Sequence, residues 1–340
     1  MSQKVTIKDI SKMAGVNPST VSRALRDHPD ISDEVKKTIK DIAKALDYRP
    51  NKMASNLRSS SNPTIALIIP EVNMFFFPSV INGVTDAAAK AGYHVMVLQS
   101  NEQLERELEN LQICIDNRVS GIVISLSCET EELTHIERAI DHGIPVVFFD
   151  KAPSNATFDI IKIDDEKAAY SAVSSLKEAG CGKIAGIFGH PAMSITIERE
   201  RGYLNAVEDF GLVDVGTSHV HQVNDAYKSA LDYAAQGIDG IFAMSDEVIS
   251  GIVPALKSYG MAIPDDCRIM GISDGKLPFF FTEPIFFLHH DGCRAGELSV
   301  ERLIMRMEGS KAPIQNQIHI LDTPLMSNMK SDLLTEDFQQ

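Results

Sequence analysis

Between Asn17 and Leu25 the chain sets Ser19, Thr20, Ser22 and Arg23 around Val21 and Leu25. A guanidinium beside hydroxyl groups is a set of donors suited to base edges and phosphate oxygens. An arginine fork paired bidentately with guanine contributes about 1–3 kcal/mol of discrimination. Such chemistry requires a rigid helix narrow enough for a major groove. Asn17 is a favourable helix cap, and Pro18 suits the first helical position, where its missing N–H is no loss. Val21 and Leu25, four apart, face inward, so the polar side chains face outward. The same residues also fit a capped helical hairpin with a solvated polar face.

The elements around this segment position it. Thr6 is a cap for a preceding short helix, with Asp9 at capping-box spacing, and Ile7, Ile10 and Ala14 share one face. Gly15 allows a tight turn with Val16 packed beneath it. Two short helices joined this way predict a helix-turn-helix. A third helix opens at Ser32 with Asp33 and Glu34 in its first turn; Val35, Ile39, Ile42 and Leu46 form its apolar stripe. Lys36, Lys37, Lys40 and Lys44 cover its other faces, either as a solvated surface or against a DNA backbone. Pro50 and Asn51 then start a helix of about two turns, too short to be stable alone. Ser59, Ser60, Ser61 and Pro63 mark a joint after it.

Charge divides the chain the same way. The net charge is −15, yet residues 1–60 carry +5 and the other 280 residues carry −20. A basic head on an acidic body fits contact with phosphate through the head alone. Five cysteines, an odd number without CxxC spacing, argue against a disulfide framework or zinc knuckle and for a reducing compartment. The opening MSQKVTIKDISKMAGV lacks the apolar run of a secretory signal, and no stretch approaches the ~18 apolar residues of a membrane span. The expectation is a cytoplasmic, nucleoid-associated protein with no membrane partner.

From residue 64 short apolar runs alternate with helical stretches. The predicted strands are 65–69, 94–98, 121–125, 145–149, 183–188, 240–244 and 268–272; predicted helices include 102–116, 198–210 and 247–258. Apolar strands between helices indicate buried, doubly wound parallel sheets, too many strands for one compact sheet. Ligands of such sheets sit at the strands' carboxyl ends, which become a cleft between two lobes. No GxGxxG, GxxxxGK[ST] or HExxH occurs, so no nucleotide cofactor, metal or catalytic set is expected.

TIKDISKMAGVNPSTVSRAL followed by YRPNKMASNLR resembles the lactose/galactose repressor (LacI-type) family of bacterial transcription regulators. The resemblance implies an all-α helix-turn-helix DNA-binding head plus an α/β core of two doubly wound parallel-sheet subdomains, periplasmic-binding-protein-like. It also implies a homodimer on double-stranded pseudo-palindromic operator DNA, controlled by a small-molecule, sugar-like effector. The division expected is a head over 1–49, a hinge helix and linker over 50–63, and a core over 64–340. Within the core, one subdomain takes about 64–161 and 291–322, the other about 162–290 and 323–340. The implied DNA contacts are Thr6, Asn17, Pro18, Ser19, Thr20, Ser22, Arg23, Asn51, Ala54 and Leu57. Asn17 stands where the family usually has serine, and Leu57 matches the wedge that pries open the central base step. The implied effector contacts are Phe76, Phe77, Ser125, Asp150, Arg199, Ser245, Asp246, Ser273 and His290.

Bland readings stand beside several of these. Phe76 and Phe77 also fit core aromatics, Arg199 a solvated helix face, Asp150 a turn cap, and His290 a satisfied buried histidine. Gly271-Ile272-Ser273-Asp274 departs from the family pattern, with Ser273 where an aspartate usually grips the ligand. A sugar-uptake receptor with this core would need a signal peptide and no basic head. An enzyme would need a nucleophile–base set or a carboxylate pair that no motif announces.

Overall fold

The computed structural model describes residues 5–25, 27–46, 48, 62–73, 75–153, 158–308 and 316–329. They form two compact units, divided at Ser61.

The first unit holds α1 (Ile7–Ala14), α2 (Pro18–Ala24) and α3 (Asp33–Ala45). Thr6 closes the amino end of α1: its backbone N–H and its hydroxyl both donate to Asp9 Oδ2, at 2.8 and 2.7 Å. Gly15 takes φ 64°, the left-handed conformation that turns the chain into α2. Asn17 sits in extended backbone before Pro18, but its side chain makes no capping hydrogen bond. Its carbonyl accepts from the Thr20 and Val21 N–H groups instead, at 2.9 and 3.1 Å. Ile10, Val21, Ala24 and Ile39 are fully buried, with Ile7, Leu25, Ile42 and Leu46 packed around them. Ala24 rather than Leu25 takes the deepest place on α2, because the helix ends at Ala24 and Leu25 is its half-buried carboxyl cap.

The second unit contains two six-stranded sheets. The first comprises β1 (Asn62–Ile69), β2 (His94–Gln99), β3 (Val119–Ile124), β4 (Val146–Phe149), β5 (Asp159–Ile163) and β11 (Ile318–Leu321). Its order is β11-β5-β4-β3-β1-β2, all parallel. The second comprises β6 (Lys183–Phe188), β7 (Val213–His219), β8 (Gly240–Ala243), β9 (Arg268–Ser273), β10 (Phe286–His289) and β12 (Leu325–Ser327). Its order is β12-β10-β9-β8-β6-β7, with β12 antiparallel to β10. Strands β4 and β8 are buried throughout, which is why they read as plain apolar runs.

The helices of this unit are α4 (Phe76–Lys90), α5 (Leu104–Asp116), α6 (Thr134–Asp141), α7 (Asp165–Glu178), α8 (Ser194–Phe210), α9 (Val223–Ala235), α10 (Asp246–Tyr259) and α11 (Gly292–Glu308). After β10 the chain returns to the first sheet: Ala295, Val300 and Leu303 of α11 pack with Ile65, Leu67 and Val80. Two helices start two or more residues away from the sequence expectation. Helix α5 starts at Leu104 rather than Glu102, because Asn101 and Glu102 hold left-handed φ values of 51° and 57°. Helix α8 starts at Ser194, four residues before Glu198, on a turn of Ile195 and Thr196 that packs inward.

Gly202 sets how closely α8 approaches α7. A Cβ there would lie 2.1 Å from the Glu166 carbonyl oxygen. Gly202→Ala must therefore push two helices apart, an overpacking cost of about 1–3 kcal/mol. A melting temperature lower by several degrees is expected in a thermal melt; an unchanged one would show that the helices separate freely.

Candidate functional site

The head presents the side chains that sequence spacing predicts on one helix. On α2, Pro18, Ser19 and Arg23 are exposed, while Thr20 and Ser22 are half-buried; Asn17 and Thr6, each preceding a helix, are also exposed. Val21 and Ala24, at 0% exposure, hold the opposite face. The surface left outward is a hydroxyl- and guanidinium-bearing helix start, suited to base edges and phosphate. Asn51, Ala54 and Leu57 lie outside the described residues.

In the core a cavity of about 460 Å³ opens at the strand ends. Residues of the first lobe reach it from the start of α4 and from the turns after β2 and β4. Residues of the second lobe reach it from α8 and from the turns after β8, β9 and β10. Of the predicted effector contacts, Phe76, Phe77, Asp150, Arg199, Ser245, Asp246, Ser273 and His290 all line it. Ser125 does not. It is fully buried after β3, and its hydroxyl has no hydrogen-bond partner among the described residues. The next residue, Leu126, donates its N–H to the Lys151 carbonyl at 3.0 Å, and the Asp150–Lys151 segment one strand over forms that part of the wall.

Aromatic residues supply one side. Phe76 stacks on His290 with ring centroids 4.2 Å apart, and Phe77 meets Phe149 edge-on at 6.2 Å. Phe77, 2% exposed, is thus both a core aromatic and a wall residue. His290 is buried, its Nε2 has no hydrogen-bond partner among the described residues, and burial holds its pKa well below the usual value, so it is neutral.

Arg199 is not on a solvated helix face. It is 3% exposed and donates through Nε to Asp165 Oδ1 at 2.8 Å and through Nη1 to the Met244 carbonyl at 2.5 Å. Ser273 donates to Asp246 Oδ1 at 2.5 Å and accepts from the Gly275 N–H at 2.9 Å. The Asp274 N–H donates to Asp246 Oδ2 at 2.9 Å. The serine that replaces the gripping aspartate therefore holds Asp246 in place. The carboxylate of Asp274 turns to the other lobe, where Ser79 of α4 donates to it at 2.7 Å, and Lys276 donates to the same Ser79 oxygen. Glu247 Oε1 accepts from the Phe75 N–H at 2.9 Å, a second bond between the lobes.

Burial shapes the acids. It pushes Asp150 up to about 6 and Asp246 and Asp274 up to about 7, against smaller opposing effects from Arg199 and from hydrogen bonds to Ser273 and Ser79. Asp150 also sits at φ 56°, an uncommon conformation for a side-chain-bearing residue.

Sequence reasoning missed several wall residues: Glu71, Glu102, Lys151, His190, Gln222 and Glu247. Glu102 and Lys151 form an ion pair, with Lys151 5% exposed. Lys151 was findable as the neighbour of a strand-end aspartate. Glu102 was hidden because it reads as a helix start. His221 also lines the cavity and meets His190 edge-on at 5.0 Å.

A helix-turn-helix unit followed by a two-lobed, parallel-sheet core with a strand-end cavity is the plan of a ligand-responsive DNA-binding regulator. Comparison with known proteins agrees. The family of bacterial regulatory proteins, lacI family, matches residues 6–51, and the periplasmic binding protein domain family matches residues 65–275. The HTH-type transcriptional repressor PurR of Vibrio atlanticus (strain LGP32) is 27% identical, over 89% of this chain and 92% of that protein. The ribose operon repressor of Halalkalibacterium halodurans is 29% identical, over 94% of this chain and 95% of that protein. Among solved structures, the lac repressor dimer bound to operator and an anti-inducer superposes with a TM-score of 0.84 at 18% identity, over 95% of this chain and 98% of that one. A CelR–cellobiose complex has a TM-score of 0.69 at 22% identity, again over 95% and 98%. The chain belongs to the LacI family, as a transcription repressor with a sugar-binding-type effector domain and not an enzyme.

Proposed function

We propose that two copies of the chain bind one pseudo-palindromic operator, each reading a half-site with α2, and that a sugar-like effector in the core cavity controls this binding. The observation that carries the reading is the pairing of an exposed Ser19–Arg23 face on a basic head with a strand-end cavity lined by polar groups and Phe76 in the core. The bonds between lobes, Ser79 to Asp274 and Phe75 to Glu247, give the effector something to alter. An effector shifts the closed–open balance only by its differential affinity for the two states. The head over 1–49, the hinge over 50–63 and the two-subdomain core over 64–340 then have separate tasks, carried out in the cytoplasm.

The test is selection from a random duplex pool. An enriched inverted repeat, bound with affinity that falls by roughly 10³-fold or more between 50 and 200 mM salt through several phosphate contacts, is expected. A pool with no enriched sequence would overturn the reading. Arg23→Ala should cost about 1–3 kcal/mol and relax specificity at one base pair. Leu57→Ala should weaken binding to the selected site while sparing nonspecific duplex, since a wedge acts only on bent DNA; equal loss on both would remove Leu57 from that role.

A further inference from the structure

The charges on the cavity wall do not balance. Glu71, Glu102, Asp150, Asp246, Glu247 and Asp274 line it, against only Lys151 and Arg199 among lysines and arginines. Both cations are already engaged, Lys151 with Glu102 and Arg199 with Asp165. Asp246, Glu247 and Asp274 each accept hydrogen bonds from the protein. Asp150 is different. It is 7% exposed, lines the cavity, and has no side-chain hydrogen bond or ion pair among the described residues.

We propose that the cavity is built for an effector bearing a protonated amine beside its hydroxyls, with the ammonium seated against Asp150. The proposal deepens the reading of this cavity as the effector site and rests on it. A buried carboxylate without a partner is costly, and such groups persist where something pairs with them. A hydroxyl would give Asp150 one hydrogen bond but leave its charge uncompensated. A phosphate would bring more negative charge to a wall whose two cations are already paired. An ammonium supplies both the charge and up to three donors. Phe76, stacked on neutral His290, offers the apolar face of a ring something to rest on while adding no charge.

Titration calorimetry on the full-length protein tests this with matched sets: glucosamine, galactosamine and mannosamine, their parent hexoses, and the hexose 6-phosphates. At least one hexosamine should bind roughly tenfold or more tightly than its parent, as a charge-assisted hydrogen bond requires, and the phosphates should not bind. In Asp150→Asn the amine and the parent sugar should bind alike. The charged groups facing Asp150 are Arg199, Asp165, Lys151 and Glu102. The amine's advantage should widen as pH rises through the value near 6 at which Asp150 ionises. A parent hexose or a phosphate binding more tightly than the amine would overturn the proposal and leave the effector reading standing. Silence from every member of the panel would overturn both the amine proposal and the assignment of a sugar-like effector.

Discussion

An Arg199→Ala protein is expected to melt well below its parent, and not only to lose its response to effector. Arg199 and Asp165 are 3% and 1% exposed and meet at 2.8 Å. Removing the guanidinium leaves Asp165 as a buried carboxylate, and breaking such a pair costs about 3–5 kcal/mol. Lys162 stands 3.4 Å from the other oxygen of Asp165 and offsets part of that loss, so the lower end of the range applies. The Met244 carbonyl loses a donor as well. At roughly 2–4 °C per kcal/mol for a unit of this size, the melting temperature should fall on the order of 10 °C. Removing both charges, Arg199→Leu with Asp165→Leu, should recover much of the loss, because no charge is then stranded. A single variant as stable as the parent would mean that water reaches Asp165 freely. A lost effector response in Arg199→Ala alone therefore does not separate contact from collapse. Arg199→Lys, which keeps the charge but not the fork, is the better probe of contact.

Much of this arrangement was legible in the sequence because local rules were enough. The capping spacing from Thr6 to Asp9, the turn at Gly15 and the inward face of Val21 each depend on neighbours a few residues away. Six of the seven predicted strands are apolar runs buried along most of their length, and the edge strand β2, exposed or half-buried throughout, still carries the apolar run Val95–Leu98 that marks it. Strand β7 escaped because Val213–His219 lies at a sheet edge, exposed or half-buried along its length, and carries Asp214, Gly216 and Ser218 rather than an apolar run. Strands β11 and β12 escaped for a related reason. They are short, partly exposed edge strands, and each belongs to a sheet whose other strands lie far back in the chain.

The site was legible in membership and not in wiring. Strand-end position, taken with the family resemblance, picked out eight residues that meet at one cavity. It did not show that Arg199 is pinned to Asp165, that Ser273 clamps Asp246, or that Asp274 reaches Ser79 across the cleft. Those partners are 27 to 195 residues apart; packing inside the second lobe joins the first two pairs, and only the meeting of the two lobes joins Asp274 to Ser79. Ser125 shows the limit from the other side: it directly follows its strand, yet Cys128 further along the same turn and Asp150–Lys151 one strand over carry the wall.

Asp150→Asn is expected to make the ligand-free core more stable at about pH 7 and above and almost unchanged at about pH 3.5, below the unfolded aspartate value. A carboxyl whose pKa is raised on folding binds its proton more tightly in the folded state than in the unfolded one, where aspartate titrates near 3.9. Its contribution is therefore whole below the unfolded value and is lost as pH rises from there to the folded value. For Asp150 the folded value is about 6, and for Asp246 and Asp274 about 7, so the free core should lose stability between about pH 4 and pH 7. The Asp150 share is on the order of 3 kcal/mol at one pKa unit per 1.36 kcal/mol. Asparagine removes the charge without removing a hydrogen bond, since Asp150 makes none with its side chain, and it tolerates φ 56° at least as well. Melting curves of both proteins at about pH 3.5, 5 and 7, which span the unfolded and folded values, decide the matter. A gap that opens with pH identifies the unpaired carboxylate as the source; a gap that stays flat would place the effect in backbone strain. The first outcome also explains why so costly a group stands there: its charge opposes folding of the empty core and is satisfied only when a ligand brings the missing donor.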